Sequence, residues 1–271
     1  MLLLLPPSEG KTPAPSGDPA DLDALTDSHV LGDRRRAVLD ALVAASARPD
    51  AAAVLGVGAS LAGEVARNLR LREEPAGPAR EVYTGVLFAA AGLSSLPAAA
   101  AARAQESVRV FSGLWGIVAP SDRIPAYRLS MAVNLPGVGR LAGGWRAPLA
   151  EALDRRAGDE LVVDCRSAPY QSAWRPPPDS ECVSVRVVRQ VGDRRIVVSH
   201  NAKHTRGVLV RHLLTRPSAP PANAEEVLAA AGDLVDTVVG TTVGTALGYR
   251  LLDASLSRAN PARRELELVI S

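Results

Sequence analysis

VSVRVVRQVGDRRIVVSHNAKHTRGVLVRHLL (Val183–Leu214) changes its period halfway along. Apolar residues recur as on a strand from Val183 to Val191, the chain turns at Gly192-Asp193, and Ile196–Val198 is apolar again, which is the pattern of a β-hairpin. A polar knot follows, holding His200, Asn201, Lys203, His204, Thr205 and Arg206, with Gly207 next. The amphipathic run Val208-Leu209-Val210 then resumes at helical spacing, so a helix is expected to begin near Thr205. A strand pair delivered straight into a helix predicts a mixed α/β domain.

Outward from this stretch the same alternation holds. Leu2–Leu5 reads as a buried strand and PPSEGKTPAPSG as a turn-rich loop. Helices are expected from Asp33 to Ala47, ended by Arg48-Pro49, and from about Ser60 to Leu71. VRVFSGLWGIVAP and Glu160–Asp164 read as strands, and Asn223 with Glu226 as a capping box opening a helix. GYRLLDAS and RELELVI make a closing strand pair. With no internal repeat and no clear linker, residues 1–271 are read as one compact α/β (mixed α+β) domain with a mixed sheet and C-terminal hairpins.

The totals narrow the function classes. A chain of 271 residues that is 47% hydrophobic supports a sizeable core. No apolar run approaches the roughly 18 residues that would span a bilayer, and MLLLLPP lacks the features of a secretory signal. Cys165 and Cys182 make no disulfide framework, so a cytoplasmic location is expected. Net charge is only +2, yet residues 181–216 carry 8 basic and 2 acidic side chains. That concentration favours an anionic partner, phosphate or nucleic acid, against the plainer alternative of a solvated basic face.

Three chemistries compete for the polar knot. Metal binding by His200 and His204 needs both on one helix face, and His200 is expected to end a strand; neither cysteine has a partner at zinc spacing, so no metal site and no cofactor is expected. Cys165 beside Arg166 at a strand end offers a thiol, but no histidine is placed near it, and Arg166, Ser167 and Tyr170 are better read as binding residues. An anion seat needs cations beside backbone N–H groups, and Lys203 and Arg206 supply the cations, with Gly207 allowing close approach. Elsewhere LGVGAS, with Gly56 and Gly58 between helical patterns, has the layout of a helix-hairpin-helix element over about 33–72. Such a turn holds DNA phosphate without reading sequence, unless its glycines only let two helices pack. LPGVGRLAG carries the same spacing without a preceding helix and is read as a decoy.

Five strings in order carry a resemblance: PPSEGKT (6–12), VYTGVLF (82–88), SGLWGIVAPSDRIPAYRLSM (112–131), DCRSAPYQSAW (164–174) and SHNAKHTRGVLVRHLL (199–214). Together they make the chain similar to the peroxide stress YaaA family, in its actinobacterial-type branch. The resemblance implies a single compact α/β unit of unusual topology in a cytoplasmic protein of the oxidative stress response. It also implies iron homeostasis, through lowered free iron, and DNA binding by a helix-hairpin-helix and a positively charged cleft. On the family's pattern fall Lys11, the Tyr83-Thr84-Gly85 block, Ser112, Asp122, Tyr127, Arg128, Tyr170, Lys203, Arg206 and Gly207. Cys165, His200 and His204 are not family-wide requirements.

The expectation is one anion-binding cleft joining Lys11, Arg128, Arg166, Lys203 and Arg206, with Asp122 and Tyr127 as polar supports. Asp122, Tyr127 and Lys203 are the catalytic candidates if chemistry is done there. Against it stands the reading that the arginines pair with Asp122 and Asp164 to brace loops. Two functions stay open: a DNA-binding stress protein, or an enzyme acting on a phosphate-bearing or nucleobase-like small molecule. Direct iron sequestration has too few well-spaced ligands.

Overall fold

The computed structural model describes residues 1–241, 247–257, 260 and 262–271. Leu2–Leu5 forms β1 and is fully buried on both faces, as a strand flanked on each side by parallel neighbours must be. Those neighbours are β3 (Val108–Ser112) and β8 (Val162–Asp164), and the parallel set continues through β9 (Cys182–Val191) to β13 (Arg263–Ile270). Antiparallel strands complete the sheet. β4 (Gly116–Val118) pairs with β3, β10 (Arg194–Val197) with β9, β12 (Gly248–Leu256) with β13, and β11 (Val238–Thr241) with β12. The nine-stranded sheet runs β11-β12-β13-β9-β8-β1-β3-β4, with β10 beside β9. Two small ribbons stand apart, β2 (Gly77–Pro78) with β5 (Arg123–Ile124), and β6 (Asn134–Leu135) with β7 (Gly139–Arg140).

Ten α-helices cover this sheet among the described residues. The longest are α1 (Ser28–Ser46) and α7 (Leu141–Asp159), which pack on one another, and α9 (His200–Thr215). α2 (Ala51–Val54), α3 (Ala62–Arg67), α4 (Ala79–Val82), α5 (Val86–Ala91) and α8 (Ala168–Gln171) are short; α6 (Ala98–Ser107) and α10 (Ala224–Gly232) complete the set. The Asn223 side chain accepts the Glu226 N–H at 2.9 Å, as the capping pattern predicts. Gly192 turns the β9–β10 hairpin at φ 56°.

Two elements depart from expectation. VRVFSGLWGIVAP is two strands rather than one, folded back through Gly113–Trp115, with Ser112 accepting hydrogen bonds from the Leu114 and Trp115 N–H groups. α9 begins at His200 and not near Thr205, because Ala202 and Thr205 are buried with Leu209, Val210 and Leu213 on one helical face. The polar knot is therefore the first two turns of a helix. Lys203 and Arg206 stand one turn apart on it.

Candidate functional site

A cavity of about 350 Å³ lies where the chain leaves the carboxyl ends of β1 and β8. From β1 the chain crosses to β3 on one side and later returns to β8 on the other, so the loops after β1 and β8 part and leave a crevice. The loop Pro6–Lys11 lines it, with the start of α5, the segment Arg128–Ser130, Ser167 and Tyr170 near α8, and Lys203 and Arg206 on α9.

Lys11 is held from several directions. Its backbone bridges Tyr83, and Thr12 N–H donates to the Val82 carbonyl at 2.9 Å. Lys11 Nζ donates to the Ser8 carbonyl at 2.8 Å and lies 4.2 Å from the centre of the Tyr127 ring. Burial, reinforced by the positive charge of Arg128, pulls its pKa from 10.5 down to about 7, against the opposing pull of Glu64 and Glu9. Beneath it the Tyr127 hydroxyl pairs with Ser112 Oγ at 2.6 Å and with the Tyr83 hydroxyl at 3.0 Å. Burial pushes both phenols up, Tyr127 well above the ordinary tyrosine value. Tyr83, Ser112 and Tyr127 form the floor under Lys11 and are not among the lining side chains.

The other expected cations divide. Arg128 reaches the cavity and pairs with Glu64 at 3.4 Å. Arg206 lines it while donating to the Val185 carbonyl at 3.0 and 2.8 Å. Among the described residues no carboxylate lies within ion-pairing distance of Lys11, Lys203 or Arg206, although Glu9 is part of the lining. Arg166 corrects the sequence reading. Its guanidinium is buried and saturated by Asp164, the Tyr170 and Trp174 carbonyls and the Phe111 ring, so it braces the β8 loop outside this cavity. Gly207 also serves packing and not an anion: a methyl group there would overlap the Leu87 carbonyl oxygen of α5.

Asp122 belongs to the fold as well. Buried away from the cavity, it accepts the N–H groups of Thr26 and Ala119 at 3.1 and 3.0 Å and the Thr26 hydroxyl at 2.9 Å. His200 and His204 do share a helix, contrary to the strand-end reading, but the His204 ring meets the Tyr249 hydroxyl at 3.1 Å. Among the described residues no three His, Cys, Asp or Glu side chains gather to hold a metal. Cys165 is fully buried outside the cavity lining, and burial pushes its thiol up, away from the reactive thiolate. Gly56 and Gly58 lie outside the cavity. Gly56 adopts φ 64° in open space, so its glycine serves the turn and not close helix packing. LPGVGRLAG is the small β6–β7 hairpin leading into α7.

Three supporting residues escaped sequence reasoning. Buried Ser8 accepts the Gly85 N–H at 2.6 Å and fixes the loop that carries Lys11. Glu64, on α3, is the Arg128 partner. Fully buried Asn68 accepts the Arg128 N–H and donates to its carbonyl, both at 2.9 Å, and also donates to Ser46 Oγ at 3.1 Å. A polar residue inside a helical apolar pattern was the available signal. Replacing Asn68 with Ala strands two peptide groups, so we expect destabilisation of about 1–3 kcal/mol in urea unfolding. A change under about 0.5 kcal/mol would show that the clamp is idle.

Comparison with known proteins agrees with the five-string resemblance. The family model for peroxide stress protein YaaA matches residues 1–230. A UPF0246 protein of Streptomyces coelicolor is 48% identical over 231 residues, covering 84% of this chain and 88% of the relative. One from Corynebacterium efficiens is 40% identical over 223 residues, covering 80% of this chain and 86% of its own. With a family model spanning most of the chain and relatives matched along most of their lengths, the chain belongs to the YaaA peroxide stress family.

Proposed function

We propose that this chain serves the peroxide response of its family by binding a phosphate-bearing ligand in the cavity between β1 and β8. The observation that carries this reading is the meeting of Lys11, Arg128, Lys203 and Arg206 from three segments far apart in sequence, three of them without a carboxylate partner among the described residues. Cations held open in this way suit phosphate oxygens. A cavity of about 350 Å³ takes a mononucleotide-sized body and not an intact duplex. DNA is the second reading, favoured by the Gly56–Gly58 turn, whose backbone faces open space beside α3. Lowered free iron would then be an indirect consequence of ligand binding.

Titration calorimetry with sulfate and with a nucleoside monophosphate tests the reading. Lys203→Ala is expected to weaken both by about tenfold or more. Sulfate stays ionised throughout, so its affinity should fall as pH rises through about 7 and Lys11 loses its proton. No measurable binding by the wild type, or equal binding by Lys203→Ala, would end it.

A further inference from the structure

We propose that Lys11 is a covalent catalyst, condensing through its amine with the carbonyl carbon of an aldehyde or ketone that carries a phosphate. This deepens the phosphate-binding reading above and rests on it. An imine-forming lysine needs an amine without an ion-pair partner, largely desolvated in a pocket, with other groups available to seat the rest of the substrate. Lys11 meets each requirement. It lacks a carboxylate partner among the described residues, its Nζ is aimed by the Ser8 carbonyl at 2.8 Å, and the Tyr127 ring covers one side at 4.2 Å. A neutral amine that donates one hydrogen to the Ser8 oxygen keeps its lone pair for attack. Burial and the Arg128 charge leave a large share of that neutral form near pH 7.

Lys203 and Arg206 line the same cavity from α9, so a phosphate seated on them leaves the remainder of a small ligand within the space that Lys11 borders. Attack by the Nζ lone pair forms the C–N bond and moves the carbonyl π pair to oxygen, which takes a proton. The carbinolamine then loses that oxygen as water: the C–O bond breaks as the nitrogen lone pair forms the C=N bond, and the two amine protons end on the departing water. One amine and one carbonyl become one imine and one water, with no oxidant or further reactant. Two sources carry this chemistry, a free sugar phosphate and the ring-opened abasic site of a nucleic acid.

The test is borohydride trapping near neutral pH, read by peptide mass spectrometry, and it is well resolved because Lys11 and Lys203 are the only lysines in the sequence. D-glyceraldehyde 3-phosphate, D-glyceraldehyde and a short abasic single strand are compared. A reduced adduct on Lys11, formed about tenfold or more faster with the phosphate than with plain glyceraldehyde, is the expected result. Lys11→Arg should abolish it with the fold intact by circular dichroism, and Lys203→Ala should remove the phosphate preference. An adduct with the triose phosphate alone assigns a metabolite, and one with the abasic strand alone assigns nucleic acid. No adduct, an adduct on Lys203 instead, or equal rates with and without phosphate overturns the proposal. Sulfate binding without any adduct would sink the covalent step while leaving the binding site standing; no sulfate binding would sink both.

Discussion

Replacing Asp164 with alanine is expected to destabilise the protein by about 3–5 kcal/mol. Asp164 and Arg166 are both buried, and their side chains meet through Nε and Nη2 at 2.9 and 2.8 Å, with the Arg166 N–H adding a third bond at 2.9 Å. Truncating the acid leaves a guanidinium in the interior with two carbonyls and two aromatic rings but no counter-charge. The cost is that of an orphaned ion and far exceeds a surface pair. Urea unfolding measures it. The double variant Asp164→Val/Arg166→Met should recover much of the loss, because removing both partners removes the uncompensated charge. A single-variant loss under about 1 kcal/mol would mean that water reaches the guanidinium and that the β8 loop is not braced as described.

That ion pair shows what the sequence could and could not reveal. Leu2–Leu5, the Gly192-Asp193 turn and the Asn223 cap were legible because each depends on residues within a few positions of one another. The gathering of Lys11, Arg128, Lys203 and Arg206, expected together with Arg166, rested on the family resemblance that singled out Lys11 and Arg128, and parallel strand order gives it a physical basis. Arg166 was misread because an arginine two residues after an aspartate reads the same whether it faces solvent or folds back inward. Its direction is set by Phe111, distant in sequence, and by Trp174 beyond the following loop. The early start of α9 was hidden for a related reason. Thr205 and Ala202 count as weakly apolar in a pattern, yet tertiary packing buries both. Asn68 and Ser8 act on backbone groups of Arg128 and Gly85; the polar Asn68 inside an apolar helical pattern marks a buried hydrogen bond but not its distant partner, and Ser8 in a turn-rich loop marks neither.

Relative to Lys11→Met, the wild type is expected to gain about 1–2 kcal/mol of stability between about pH 7.5 and pH 9.5. The folded-state pKa of Lys11 is about 7, against 10.5 for a free lysine side chain. Below about 7 both states hold the proton and the folded protein bears the full cost of a desolvated ammonium. Between about 7 and 10.5 the unfolded chain holds more protons than the folded one, so stability climbs with pH by at most about 1.4 kcal/mol per unit. Partial solvent contact at Lys11 argues for the lower part of that range. The buried thiols Cys165 and Cys182, pushed up to about 12 and about 11, are common to both proteins and cancel in the difference. Denaturant unfolding of both proteins at the two pH values measures the gain. A flat difference would mean that the Lys11 amine is solvated as in a free side chain, and its covalent role would lose its physical basis. A rising difference that saturating sulfate reduces only in part would show that an anion seated on Lys203 and Arg206 acts on the Lys11 charge across the shared cavity.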